Sequence, residues 1–160
     1  MSAYDYSFRD ITGADLPLEK FRGKVLLVVN TASKCGYTPQ YQGMQELHDA
    51  YGPRGLVVIG VPSNDFGKQE PGSEAEIREF CHTHYAVSFP MTGKEQVSGD
   101  SAHPFYRWVT GALGKDSAPA WNFHMFLIGP DGEAVDWYPS GTKPVSEAIV
   151  DRLEALLPAR

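Results

Sequence analysis

The chain is poor in cysteine: Cys35 and Cys81 are the only two in 160 residues. That is too few to staple a domain of this length, so a disulfide scaffold is excluded and reactivity becomes the better use for a thiol. A buried inert thiol is the other reading of each. No apolar run approaches the roughly 20 residues that span a bilayer. The start, MSAYDYSFRD, has neither the basic region nor the apolar stretch of a secretory signal. A cytoplasmic protein with no membrane partner is expected. The 14 basic residues are outnumbered by 20 acidic ones, for a net charge of −6, and are scattered along the chain. Such a surface offers no electrostatic footprint for nucleic acid or anionic lipid. No Walker or dinucleotide glycine motif occurs. His82 and His84, two apart, face different sides of a helix, so no metal is implied, and no cofactor either.

What is present fits one globular domain over residues 1–160, with 42% hydrophobic and 21% charged residues. The runs Val25 to Val29 and Leu56 to Val61 read as fully buried strands. Between them a helix carries Tyr41, Met44, Leu47 and Tyr51 on one face, which makes a βαβ unit. Gly52 and Pro53 stop that helix, and Ser73 with Glu76 has the spacing of a capping box opening a second one, through Ile77 to about His82. Cys81 sits late on it. A third helix carries Phe105, Trp108, Val109 and Leu113, and a hairpin joins Phe123 to Ile128 with Glu133 to Tyr138 around Gly129 to Gly132. Val145, Ile149, Leu153 and Leu156 mark a last helix. This order predicts an α/β, thioredoxin-like fold with a central mixed β-sheet flanked by helices.

Cys35 follows the first strand and precedes Thr38 and Pro39, which suit an N-cap and a first helical residue. The unpaired N–H groups and positive end of that helix favour a thiolate. A thiol of pKa about 8.5 is a few per cent ionised at neutral pH, and bringing it to about 6 takes roughly 3.4 kcal/mol. A helix end supplies at most about 2 kcal/mol. Hydrogen-bond donors must supply the rest. Strands end and begin at one sheet edge if Phe123 to Ile128 runs antiparallel to the first strand, and that brings Trp121 and Asn122 toward the sulfur. The loop VPSNDFGKQEPGSE reaches the same edge with the amides of Asn64 or Gln69. An ordinary solvated loop uses the same residue types, and Trp121 taken alone reads as core packing.

The segments NTASKCGYTPQYQGMQELHDAYGPRGLVVIGVPSNDFGKQEPGS, EIREFC, FPM, AHPFYRW, WNFHMFLIGPDG and WYPSGTKP resemble the glutathione peroxidase family, from about Tyr4 to Leu157. The resemblance implies a thioredoxin-like fold and a peroxidatic cysteine at Cys35. It also implies a surrounding tetrad completed by Gln69, Trp121 and Asn122, whose N–H groups donate to sulfur and to the leaving oxygen of a hydroperoxide. Attack of the thiolate on the O–O bond gives sulfenic acid and water or an alcohol. Cys81 matches the position of the resolving cysteine in thioredoxin-dependent members, which implies a Cys35–Cys81 disulfide and local unwinding of its helix.

Departures from the family pattern also carry information. Ser63 and Asp65 stand where members usually have cysteine and glutamine, so a third cysteine is missing. His124 and Met125 replace the usual threonine and lysine, which predicts a lost positive charge near the pocket. The segment GALGKDSAPA is short where tetrameric glutathione-using members carry an insertion. Together with Cys81 this favours thioredoxin over glutathione as reductant, and a monomer or weak dimer over a tetramer. Two other readings use the same cysteines or none: a redox sensor that switches a partner, and a structural thioredoxin-like module with an ordinary thiol.

Overall fold

The computed structural model describes residues 1–158. A short antiparallel pair, β1 (Ser7–Arg9) and β2 (Asp15–Pro17), buries Phe8 and Leu16 while its other residues stay exposed. Then follow β3 (Val25–Thr31), α1 (Gln40–Tyr51), β4 (Leu56–Pro62), α2 (Glu74–Tyr85), α3 (Pro104–Leu113), β5 (Met125–Ile128), β6 (Ala134–Tyr138) and α4 (Glu147–Leu156). The main sheet has the order β4-β3-β5-β6. β3 and β4 run parallel, with Val25 opposite Leu56, as the βαβ reading requires. β5 runs antiparallel to β3, with Met125 opposite Val29, and β6 antiparallel to β5. The sheet is therefore mixed, as expected.

Every residue of β3, β4 and β5 is buried, which explains why Val25 to Val29 and Leu56 to Val61 read as unbroken apolar runs instead of alternating patterns. Side chains still alternate between two cores, following the pleat. Val25, Leu27 and Val29 join Tyr41, Met44 and Leu47 of α1, Ile77 and Cys81 of α2, and Ile149 and Leu153 of α4. Leu26 and Val28 face the other way, with Phe8, Leu16 and the α3 residues Phe105, Tyr106 and Val109. Helices on both faces cover the sheet and leave its C-terminal edge, where β3 and β4 end and β5 begins, to carry loops.

The Ser73–Glu76 capping box forms as read, with the Ser73 hydroxyl accepting the Glu76 N–H and the Glu76 carboxylate accepting the Ser73 N–H. Three expectations need correction. β5 begins at Met125, because Phe123 takes a left-handed conformation at φ 64° and turns the chain instead of extending it. Val145 lies before α4 and is exposed. Thr38 does not cap α1: the cap position is Pro39, with no side-chain bond, and the helix starts at Gln40.

Candidate active site

Cys35 lies just beyond β3, and from it the chain winds into α1 through tight turns. Thr38 N–H donates to Cys35 O at 3.0 Å, and Gln40 N–H to Tyr37 O at 2.8 Å. The Thr38 hydroxyl is used inside this turn, accepting Cys35 N–H at 2.9 Å and donating to Ala32 O at 2.8 Å. The result fixes the backbone of Cys35. Its sulfur accepts the Tyr37 N–H at 3.3 Å. Cys35 is 9% exposed, at the boundary between core and solvent.

The loop after β4 is tied to this turn from the side. Lys34 N–H donates to Gln69 O at 3.0 Å, and the Ser33 hydroxyl donates to the Glu70 carboxylate at 3.1 Å. Glu70 N–H in turn donates to the Asn64 side-chain oxygen at 3.0 Å. Glu70 is fully enclosed, and its burial raises its carboxyl above the usual range, opposed by bonds from Ser33 and the charges of Lys94 and Lys34. The Asp65 carboxylate accepts Val97 N–H at 2.7 Å and Ser98 N–H at 3.2 Å.

The third segment precedes β5. The buried Asn122 amide donates to the Gln69 side-chain oxygen at 2.9 Å and to Phe66 O at 3.4 Å. Trp121 is 36% exposed, with its ring centroid 6.0 Å from that of Phe66, so it is not the core residue that its size alone suggests. Gly67, at φ 65°, leaves room for it: a Cβ there would sit 2.8 Å from the Trp121 ring. Asn30 N–H and O pair with His124 O and Phe123 N–H, while its side chain reaches Trp121 O at 3.0 Å. Gln69, Trp121 and Asn122 thus meet at the sheet edge that carries Cys35. Among the described residues, however, the hydrogen bond to the Cys35 sulfur comes from Tyr37, and the Asn122 amide is engaged by Gln69.

Cys81 lies on the inner face of α2, 2% exposed and in the same apolar core as Cys35. Both thiols are free. Burial pushes the Cys81 thiol up to about 11; the nearby Tyr41 hydroxyl lowers it and the Glu70 charge raises it. α2 ends at Ala86, which is left-handed at φ 50°, with Val87 N–H closing onto Cys81 O at 3.3 Å. The two departures in the WNF segment are interior. Met125 is fully buried. His124 stacks on Trp137 with ring centroids 5.3 Å apart, and burial lowers its pKa to about 4. It is therefore neutral and adds no charge. No group of three or more His, Cys, Asp or Glu among the described residues is placed to hold a metal ion.

Asn30 and Glu70 tie the segments together without having been singled out in the sequence. Asn30 directly follows the apolar run Val25 to Val29, where a polar residue reads as the end of a strand. Glu70 adjoins Gln69 in a loop whose composition marks it as solvated.

Strand order, helix placement and a free cysteine in the turn between β3 and α1 define a thioredoxin-like thiol protein. A thioredoxin-family thiol:disulfide interchange protein from Chlorobium tepidum shares the fold alone, with a TM-score of 0.68 at 17% identity over 94% of this chain and 92% of that one. A crystal structure of Trgpx in apo form is nearer, with a TM-score of 0.76 at 34% identity over 96% of both chains. Residues 3–110 match the family described as "Glutathione peroxidase". The "Glutathione peroxidase homolog BsaA" of Bacillus subtilis is 48% identical over 96% of this chain and 99% of its own. The "Hydroperoxy fatty acid reductase gpx1" of Synechocystis is 44% identical over 96% and 95%. The "Glutathione peroxidase-like peroxiredoxin gpx1" of Schizosaccharomyces pombe is 42% identical over 96% and 98%. The chain belongs to the glutathione peroxidase family, and it is a peroxidase, an oxidoreductase.

Proposed function

We propose that the protein reduces hydrogen peroxide and organic hydroperoxides at Cys35. The thiolate attacks the O–O bond, the sulfur is oxidised to sulfenic acid, and the leaving oxygen takes a proton and departs as water or an alcohol. Gln69, Trp121 and Asn122 supply neutral N–H groups for the charge that develops on sulfur and oxygen. The Cys81 thiol then displaces the sulfenic hydroxyl as water, forming the Cys35–Cys81 disulfide. A dithiol protein of the thioredoxin type, preferred over glutathione, reduces it. We assign the cytoplasm as its setting and a monomer or weak dimer as its form.

One observation carries this reading: Cys35 is a free thiol at the solvent boundary, its sulfur accepting a backbone N–H, on the sheet edge where Gln69 and Asn122 pair. The relatives named as a peroxiredoxin and as a hydroperoxy fatty acid reductase support both the thiol chemistry and an organic substrate. The test is intact mass and non-reducing peptide mapping after one equivalent of hydroperoxide, with and without Cys81→Ser. A Cys35–Cys81 disulfide in the native chain and sulfenic acid at Cys35 in the variant are expected; oxidation that ignores Cys35 refutes the reading. The burial of Cys81 and its raised thiol pKa favour a second reading, a slow redox sensor. Many steady-state turnovers with thioredoxin would eliminate it.

A further inference from the structure

We propose that Asn30 is a positioning residue for the peroxidase site: its side-chain amide holds Trp121, and with it Asn122, at the sheet edge over Cys35. The proposal rests on Trp121 and Asn122 serving the chemistry as stated above. Asn30 stands in β3, among residues that are all buried, and is itself fully buried. Asparagine disfavours strands, and a buried amide is costly unless paired. Half of this one is left without a partner, since the Asn30 Oδ1 has none among the described residues. The other half is used, Nδ2 donating to Trp121 O at 3.0 Å. A strand needs no side-chain amide for its own sake, so the cost points to the segment that the amide holds.

That segment is strained. Phe123 sits at φ 64°, which a bulky residue avoids unless its surroundings impose it. Three bonds from Asn30 impose it: the side chain to Trp121 O, Phe123 N–H to Asn30 O at 2.6 Å, and Asn30 N–H to His124 O at 3.3 Å. The Phe123 ring is locked edge-on against Tyr41, with centroids 5.2 Å apart. Asn122 lies between a fixed Trp121 carbonyl and a fixed Phe123 amide, just ahead of the left-handed turn, and its side chain donates to Gln69 and Phe66. Backbone pairing alone fixes Phe123 and His124. The Asn30 side chain is what extends the hold to Trp121, beyond the end of β5.

The experiment compares Asn30→Asp and Asn30→Leu, near-isosteric side chains that do not offer the amide donor, with the native chain and with Trp121→Phe and Asn122→Ala. Stopped-flow oxidation by hydrogen peroxide is normalised to folded, titratable Cys35, so that lost stability alone does not register. Oxidation at least tenfold slower is expected in both Asn30 variants, with the midpoint of Cys35 alkylation against pH moved upward and the Trp121 contribution to fluorescence emission shifted. A folded Asn30 variant that reacts within twofold of native overturns the proposal. If Trp121→Phe and Asn122→Ala also react at the native rate, the reading of the site falls with it; if they are slow and the Asn30 variants are not, only this inference falls. If neither Asn30 variant folds, exchange of the Asn30 side-chain amide protons in the native protein decides. Protection is expected, and exchange at the rate of a free amide overturns the proposal.

Discussion

The side-chain oxygen of Gln69 accepts the Asn122 amide at 2.9 Å, so two of the groups expected around Cys35 are bound to each other. Neighbours joined in this way act as a unit, and their effects do not add. Gln69→Ala and Asn122→Ala are each expected to slow Cys35 oxidation about tenfold, or ~1.4 kcal/mol in the barrier. The double variant is expected to be no slower than about twice either single one. Stopped-flow kinetics of the four proteins close the cycle, and strictly multiplicative losses would mean that the two side chains act separately.

Gly67→Ala tests the seat of Trp121. The new methyl group meets the indole at 2.8 Å, on a backbone at φ 65° that alanine tolerates poorly. A loss of about 1 kcal/mol or more in stability is expected. A shift in tryptophan emission and slower oxidation of Cys35 by hydroperoxide accompany it. Urea titration and fluorescence read the first two effects from the same samples.

His124 makes the fold acid-sensitive. The unfolded chain takes up a proton near pH 6.5, whereas the folded protein holds His124 neutral until about 4, because the ring is buried against Trp137. Acid therefore favours unfolding between those two values, and the stability present above pH 6.5 is lost as pH falls toward 4. The full loss is on the order of 3 kcal/mol. His124→Phe keeps an aromatic ring on Trp137 and should flatten the dependence; an equal slope in that variant would assign the acid sensitivity to other groups.

Ala86→Gly bears on α2. Alanine at φ 50° closes the helix in a conformation that glycine adopts without penalty. The variant should gain about 0.5–1 kcal/mol, seen as a higher Tm. If Cys81 becomes reactive through opening of α2, the same change should slow alkylation of Cys81 by iodoacetamide while leaving Cys35 labelling unchanged. Unaltered Cys81 labelling would separate its reactivity from the end of the helix.

The fold was legible where burial is uniform. Val25 to Val29 and Leu56 to Val61 announce strands because both faces of the sheet are covered, and the Tyr41, Met44, Leu47 and Tyr51 positions announce the helix between them. β3 continues to Thr31 because Asn30 and Thr31 are buried despite their polarity, which hydropathy does not register. Nothing in a phenylalanine signals a left-handed turn, so the sequence alone starts the strand at Phe123. Thr38 before Pro39 has the composition of a helix start, yet the Cys35 N–H takes its hydroxyl first. The three-residue strands β1 and β2 are too short for any periodicity to show. Among candidate site residues, Cys35 stands out by position. Strand topology brings Trp121 and Asn122 toward the same edge and the loop offers Asn64 or Gln69, the family motifs select Gln69 for the tetrad, and the enclosure of Glu70 is a product of folding alone.

α2 is anchored unevenly compared with α1: Ile77 and Cys81 are its buried residues, whereas α1 buries Tyr41, Met44, Leu47 and Tyr51. Detaching α2 exposes little apolar surface, so its amides should lose deuterium protection well before those of the sheet. The chain would then possess one segment able to come away under mild conditions while β3, β4 and β5 stay assembled. Crosslinking chemistry, protease susceptibility and thermal history should all register first along residues 74–85.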